Sequence, residues 1–227
     1  MRQKKTKGFF ICFTGMDGSG KTTLARELVV MLREKGIECK YIYARFSPFI
    51  LKPFMLMGKW LFLRGKDFYK AYPEYSSTKR RAIQKHSLLS RAYRQIMLLD
   101  YSLQVFLKVR LPLFLGRNII CDRYLYDTVI TDLAPDMGYA EDRIIALLTS
   151  MLRFFPKPDT TFLIDLREEI AYQRKDDIPS LEYLKERRNT YLNIGRKHNM
   201  VVLDGTRPID ELKGVLSQQV SYLYQKE

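Results

Sequence analysis

Short apolar runs alternate with longer segments of helical periodicity along most of the chain. The apolar runs comprise Gly8 to Phe13, Glu38 to Ala44, Asn118 to Cys121, Thr160 to Ile164 and Val201 to Leu203. Strands that are separated by helical segments are typical of βαβ units, in which successive strands run parallel. The pattern therefore predicts a three-layer α/β fold, with a five-stranded parallel sheet flanked by helices.

The segments between the apolar runs carry apolar residues at spacings of three and four, which predicts helices. They comprise Lys21 to Lys35, Ser87 to Leu111, Tyr139 to Arg153, Glu168 to Arg174, Leu181 to Lys197 and Ile209 to Tyr224. In the second of these, the face expected to be buried comprises Leu89, Ala92, Ile96, Leu99, Leu103 and Phe106. Pro112 is expected to kink or end that helix, because proline cannot continue regular helical hydrogen bonding.

The composition is that of a folded globular chain, since 46% of its 227 residues are hydrophobic and 28% are charged. This length favours a single domain. Cys12, Cys39 and Cys121 each lie in or beside an apolar run, so they are expected to be buried free thiols of a cytoplasmic protein. Lys and Arg outnumber Asp and Glu by 39 to 25, and the net charge of +14 favours anionic ligands: nucleotides, nucleic acid or acidic lipid.

One apolar segment, Phe46 to Leu63, falls outside the alternating pattern. Pro48, Pro53, Lys52 and Lys59 interrupt it, which argues against a membrane span. Its interpretations are a buried helix, a homodimer face or contact with a membrane surface. A buried helix explains the composition with the fewest assumptions.

Residues 15–22, GMDGSGKT, fit the pattern G-x-x-x-x-G-K-[ST] between a predicted strand and a predicted helix. Glycines allow the backbone N–H groups of such a loop to surround a phosphate, aided by the positive end of the helix. Lys21 is expected to bridge the β- and γ-phosphates of ATP, and the Thr22 hydroxyl to bind Mg²⁺. The ATP-binding residues that the motif predicts are Gly15, Gly18, Ser19, Gly20, Lys21, Thr22 and Thr23.

Four segments in chain order resemble the thymidylate kinase family: FFICFTGMDGSGKTT, IICDRYLYD, FLIDLREEIAYQRK and LKERRNTYL. The resemblance covers almost the whole chain, and its Asp17 and Asp-Arg-Tyr sequence are more specific than the glycine-rich motif. It implies an ATP- and Mg²⁺-dependent kinase that phosphorylates a nucleoside monophosphate, with dTMP as the leading acceptor.

The resemblance also implies roles for individual acceptor-site residues. Asp17 would hold the deoxyribose hydroxyl, since a carboxylate is a good acceptor for a sugar hydroxyl. Asp122 would lie near Mg²⁺ or its water, and Arg123 would bind the acceptor phosphate, with Tyr124 assigned to the same site. Arg45, at the end of the second strand, corresponds to a second arginine on that phosphate.

A charged loop after the fourth strand corresponds to the family's lid, at about residues 174–188. Because position 18 is glycine, the resemblance implies that the lid supplies the catalytic positive charge, from Arg174 and Lys175. Such charge stabilises the transferring phosphoryl group, and a closing lid excludes water. Thr206 and Arg207 correspond to the loop that contacts adenine.

The sequence indicates the residues that would bind the acceptor base less clearly than those that would bind its phosphate. The family's Phe-to-Arg pattern for thymine is absent from the window Leu98 to Gln104. Tyr93, Met97, Asp100 and Gln104 instead form a helical stripe. This stripe either contacts the acceptor or forms the boundary between core and solvent.

Two alternatives stay open. The first is a kinase of the same fold with another acceptor: a different nucleotide, a nucleoside or a sugar phosphate. The second is a nucleotide-regulated module on a membrane or nucleic acid, which the net charge permits but in which Asp17, Asp122 and Arg123 have no use. The chain contains no Asn-Lys-x-Asp sequence, the motif that would indicate a GTPase. His86 and His198 are too isolated to predict a zinc site.

Overall fold

The computed structural model describes residues 8–48, 52–53, 56, 87–174 and 180–224. These residues form one parallel sheet of five strands: β1 (Phe10–Thr14), β2 (Cys39–Tyr43), β3 (Asn118–Asp122), β4 (Thr160–Asp165) and β5 (Val201–Asp204). The strand order is β2-β3-β1-β4-β5, so β1 is central. The predicted α/β fold is confirmed, with strand ends that differ from the predicted ones by no more than two residues.

Six helices of the described part occupy the predicted intervals, and a further one follows β3. The regular helices are α1 (Lys21–Glu34), α4 (Glu141–Met151), α5 (Glu168–Gln173), α6 (Leu181–Lys197) and α7 (Ile209–Tyr224). Two helices contain a π-helical segment. In α2, the segment Phe106–Arg110 joins Ser87–Val105 to Leu111–Phe114, and in α3, the helix after β3, the segment Thr128–Leu133 joins Leu125–Asp127 to Ala134–Met137. The predicted distortion at Pro112 takes the form of the wider π-helical turn before it, and α2 ends two residues later. None of these helices is long and apolar enough to cross a membrane.

Two hydrophobic cores cover the two faces of the sheet. On β1, Phe10 and Cys12 face one core, whereas Ile11 and Phe13 face the other. The first core is shared with α2, α3, α4 and α6, and the second with α1 and α7. The three cysteines are free and buried, as predicted. Because β1 is buried on both faces, the loop at its carboxyl end has a rigid base.

The buried face of α2 differs from the predicted one. Leu99 and Phe106 are exposed, Leu99 to 67%, whereas Met97, Tyr101 and Val105 are buried. The prediction was wrong because leucines occur around much of this helix, so apolar spacing alone does not identify the face that meets the sheet. Ile96 and Leu103 are also exposed, and the side chains of Leu89 and Ala92 lie outside the described residues. The Phe46 to Leu63 segment lies largely outside them too.

Candidate active site

The glycine-rich loop connects β1 to α1 and packs closely against two other elements. Gly15 has φ +138°, and a Cβ atom there would lie 2.6 Å from the Ile164 carbonyl oxygen. Gly18 has φ +79°, and its Cβ would lie 2.8 Å from the Ala171 carbonyl oxygen of α5. Both the left-handed conformation and the lack of space therefore require glycine at these positions.

Lys21 is buried at the start of α1. Its ammonium group donates to the Met16 carbonyl oxygen at 2.5 Å and to Ser19 Oγ at 3.3 Å. Burial, followed by the positive charge of Arg123, lowers the pKa of Lys21 to about 8, although nearby carboxylates oppose this change. An anion in the loop would stabilise the charged form of Lys21.

Asp122 lies at the carboxyl end of β3, in register with Phe13 of β1. Its Oδ2 accepts hydrogen bonds from Thr22 Oγ1 at 2.6 Å and from the Tyr41 hydroxyl at 2.8 Å. Its Oδ1 is buried without a hydrogen-bond partner in the described part of the chain. A buried carboxylate oxygen beside a threonine hydroxyl fits Mg²⁺, which favours oxygen ligands and binds through one or two carboxylates.

Arg123 follows β3 in a left-handed conformation, with φ +64°. Its N–H donates to the Phe13 carbonyl oxygen at 3.0 Å, which holds this unusual backbone against β1. The guanidinium group lies between two carboxylates: Nη2 donates to Asp17 Oδ1, and Nη1 donates to Asp127 Oδ1 at 3.3 Å. Burial alone would raise the pKa of Asp17, but Arg123 outweighs it and lowers that pKa.

Asp127 is a fully buried carboxylate that contacts Arg123. Its Oδ1 also accepts a hydrogen bond from the Tyr191 hydroxyl at 3.0 Å, and its Oδ2 accepts one from Thr14 Oγ1 at 2.8 Å. Burial raises the pKa of Asp127, whereas Arg123 and the hydroxyl donors favour its charged form. Asp127 therefore connects β1, α3 and α6.

Arg45 lies just after β2 and forms a two-pronged ion pair with Asp132 of α3. Its Nε and Nη2 donate to the two carboxylate oxygens at 3.1 and 2.6 Å. The backbone around it is held by hydrogen bonds from Tyr101 to the Ala44 carbonyl oxygen, at 3.1 Å, and from the Phe46 N–H to Thr128 Oγ1, at 3.0 Å. Arg45 is thus brought to the same edge of the sheet as Arg123.

The lid side of the site contains an arginine that the predicted site omits. Arg188 of α6 donates to both oxygens of Asp165, at 2.7 and 2.9 Å, and to Glu168 Oε2 at 2.8 Å. Arg174 is exposed at the end of α5, and Lys175 lies outside the described residues. In the conformation shown, Arg188 attaches α6 to the end of β4.

The turn after β5 lies against the glycine-rich loop. A Cβ atom on Gly205 would lie 3.2 Å from the Ser19 carbonyl oxygen. Next to it, the N–H and hydroxyl of Thr206 donate to Asp204 Oδ1 at 2.9 and 2.6 Å, and Arg207 lies 4.0 Å from Asp204. The predicted adenine loop is therefore adjacent to the predicted phosphate loop.

The structure corrects the predicted contribution of Tyr124. Its ring is fully buried edge-to-face against Phe10, and its hydroxyl donates to the Pro156 carbonyl oxygen at 3.0 Å. Tyr124 follows the left-handed Arg123, and its side chain belongs to the hydrophobic core. Tyr124 is therefore a packing residue and does not line the cleft.

The described residues of the stripe on α2 also contact other residues of the protein. Asp100 is fully buried and accepts a hydrogen bond from Gln104 Nε2 at 3.3 Å, and the same nitrogen donates to the Ser47 carbonyl oxygen at 2.6 Å. These residues hold the segment that carries Arg45, and their contact with the acceptor base stays a prediction. The side chain of Tyr93 lies outside the described residues.

Sequence reasoning missed Thr14 and Tyr191, and it gave no role to Asp165 or to Arg188, which lies behind the predicted lid. Each acts through a partner distant along the chain, and none belongs to a motif of fixed spacing. Asp165 alone had an identifiable position, since it ends a predicted strand where parallel sheets bind ligands.

The loop, its buried lysine and an acidic residue at the end of the neighbouring strand define a P-loop nucleoside triphosphate-binding protein. The thymidylate kinase family model matches residues 73–214, which is more than half of the chain, and the adenylylsulphate kinase model matches residues 7–44.

Curated relatives match nearly the full chain. A probable thymidylate kinase of Staphylothermus marinus is 24% identical, over 92% of both proteins. A thymidylate kinase of Leptospira borgpetersenii is 28% identical over 92% of this chain and 91% of the relative, and one of Onion yellows phytoplasma is 26% identical over 96% and 99%. This chain belongs to the thymidylate kinase family.

Proposed function

We propose that this chain is an ATP-dependent nucleoside monophosphate kinase that converts ATP and dTMP into ADP and dTDP. The observation that carries the proposal is the meeting of Lys21, Asp122 and Arg123 at one edge of the sheet. Lys21 supports binding of the donor phosphates, and Arg123 supports binding of the acceptor phosphate. Membership of the family and the names of its relatives favour dTMP as the acceptor.

On the donor side, the backbone N–H groups of the glycine-rich loop and the start of α1 would surround the ATP phosphates. Thr22 Oγ1 and Asp122 would hold Mg²⁺, which would offset the charge on the β- and γ-phosphates. The buried Lys21 would add a positive charge in a site of low dielectric constant, where it acts more strongly than in water. Thr206 and Arg207 would lie beside the adenine of ATP.

On the acceptor side, Arg45 and Arg123 would bind the phosphate of the monophosphate. Each guanidinium group has five N–H donors, and the described bonds to Asp132, Asp17 and Asp127 leave donors on both. Asp17 would exchange its bond to Arg123 for one to the sugar hydroxyl. The reaction then requires alignment and positive charge rather than a general base.

The proposal includes a lid at about residues 174–188, within a single domain of 227 residues. Arg174 and Lys175 at the start of this segment would approach the γ-phosphate when the lid closes. The ion pairs of Arg188 with Asp165 and Glu168 support a fixed hinge at the α6 end, because they attach that helix to β4. Closure would exclude water and so suppress hydrolysis of ATP.

The test is a comparison of two arginines at opposite ends of β3. Arg123→Ala should raise the KM for dTMP by about tenfold to a hundredfold, because a hydrogen bond to a charged group contributes about 1.5–3 kcal/mol. The KM for ATP should change much less. Arg117→Ala, directly before the same strand, should leave both values unchanged. Equal losses for dTMP and ATP in the Arg123 variant would mean that this residue does not hold the acceptor phosphate.

A further inference from the structure

Asp127 has no direct role in the proposed reaction, yet its carboxylate is fully buried beside the cleft. The side chain is 0% exposed, and four donors surround it. Arg123 Nη1 and the Tyr191 hydroxyl donate to Oδ1, at 3.3 and 3.0 Å. Thr14 Oγ1 and the Tyr124 N–H donate to Oδ2, at 2.8 and 3.4 Å. A buried carboxylate with this many donors fixes the groups that bond to it.

We propose that Asp127 is a positioning residue that holds the Arg123 guanidinium in the direction of the acceptor phosphate. This inference rests on the proposed nucleotide kinase function. Arg123 has two carboxylate partners, and they differ in exposure. Asp17 lies on the glycine-rich loop and its side chain is 23% exposed, whereas Asp127 is completely enclosed. Asp17 is the partner that a substrate can displace, and Asp127 is the permanent one.

The surroundings of Asp127 exclude a role as the base that deprotonates an acceptor. A carboxylate offers about four lone-pair positions, and four described donors already occupy the two oxygens. None of its surface is open to the cleft. Asp127 therefore acts on the substrate only through Arg123.

The Asp127 carboxylate also connects Arg123 to the donor site and to α6. Thr14 directly precedes the first glycine of the phosphate loop, and Tyr191 lies on α6 beyond the lid segment. Arg123 is thereby fixed relative to both elements. Phosphoryl transfer is sensitive to misplacements of about 1 Å, so this arrangement would align the acceptor with the γ-phosphate.

The first test is Asp127→Asn, which keeps the shape of the side chain and removes its charge. The expected result is a rise in the KM for dTMP of about tenfold or more, with the KM for ATP changed by less than about threefold. Asp159→Asn is the matched control, because Asp159 accepts the Phe10 N–H at 2.7 Å at the opposite end of the strands. This control should not change either KM.

The second test observes Arg123 without any substrate. In ¹⁵N NMR spectra, the guanidinium signal that disappears in Arg123→Lys identifies this residue. Separate Nη signals are expected in the wild type, because the ion pairs hinder rotation about the Nε–Cζ and Cζ–Nη bonds. They should stay separate in Asp17→Asn, in which Asp127 still pairs with Arg123, and merge in the double variant Asp17→Asn/Asp127→Asn. Separate signals in the double variant, with an unchanged KM for dTMP in Asp127→Asn, would overturn the proposal.

Two variants keep the test decisive if Asp127→Asn does not fold. Thr14→Val and Tyr191→Phe each remove one hydrogen bond to Asp127 and retain its charge. Each should raise the KM for dTMP by about twofold to fivefold, and no rise in either would contradict the proposal. If the wild type phosphorylates no nucleoside monophosphate, the proposed function fails, while the Nη signals still decide whether Asp127 positions Arg123.

Discussion

At the scale of the residue, the cleft combines buried charges with backbone conformations that few side chains permit. Lys21, Asp122, Arg123 and Asp127 are all buried within it. Burial of charge is unfavourable unless partners compensate, so these residues stabilise the fold less than apolar residues would. Their arrangement is better explained by the need for strong electrostatic interactions with phosphate.

Gly18 is the residue at which this backbone requirement is best tested. An alanine in the left-handed conformation costs about 1–2 kcal/mol. Gly18→Ala should lower the free energy of unfolding by more than this, because its Cβ would also meet the Ala171 carbonyl oxygen. Gly36 is a matched control: its φ is +76°, and a Cβ there would have no atom within 4 Å.

Denaturant unfolding of the two variants without nucleotide separates the contributions. The excess loss in Gly18→Ala over Gly36→Ala measures the contact between the glycine-rich loop and α5. Equal losses would show that the loop moves away from α5 without a cost in free energy.

Residues within a motif were predictable, whereas their supporting partners were not. Lys21, Thr22 and Asp122 were identified because each occupies a fixed place next to a predicted strand. Tyr191 bonds to Asp127 from 64 residues away, and Arg188 bonds to Asp165 from another element. Such pairs depend on how helices pack against the sheet, which local spacing does not specify.

At the scale of the element, strands were easier to predict than helix faces. The five strands are short, buried and bounded by polar residues, so their positions follow from apolar runs. On α2, the buried side is selected by Tyr101, whose hydroxyl reaches the Ala44 carbonyl oxygen, and by the buried Asp100. A spacing argument that counts only aliphatic residues does not detect this face.

The end of α6 makes a pH-dependent prediction. His198 caps this helix, packs edge-to-face with Tyr126 and has a buried Nε2 without a hydrogen-bond partner in the described part of the chain. Burial, assisted by the charge of Lys157, lowers the pKa of His198 below its ordinary value. Between that lowered pKa and about 6.5, the unfolded chain binds a proton that the folded chain does not.

The free energy of unfolding should therefore fall as the pH decreases below about 6.5, by up to about 1.4 kcal/mol per pH unit from this histidine. Urea unfolding of the wild type and of His198→Gln between pH 5 and pH 7, roughly the range in which histidine titrates, measures this contribution. The slope against pH should be smaller in the variant. The same slope in both proteins would show that His198 titrates alike in the folded and unfolded chains.

At the scale of the whole molecule, the strand order accounts for the site. The order β2-β3-β1-β4-β5 places the carboxyl ends of β1, β2 and β3 side by side, and these ends carry the glycine-rich loop, Arg45 and Arg123. Fold class and motif together therefore predicted that these groups would lie at the same end of the sheet. The acceptor base was not predictable, because the family's Phe-to-Arg pattern is absent from the window Leu98 to Gln104.

The most direct test of the proposed function is the formation of ADP from Mg·ATP with a panel of acceptors: dTMP, dUMP, UMP, CMP, AMP, GMP, thymidine and phosphorylated sugars. We expect dTMP to give the highest kcat/KM and thymidine a value lower by about a hundredfold or more, since Arg45 and Arg123 would have no phosphate to bind. Turnover with thymidine or a sugar phosphate, without turnover of any nucleoside monophosphate, would contradict the account.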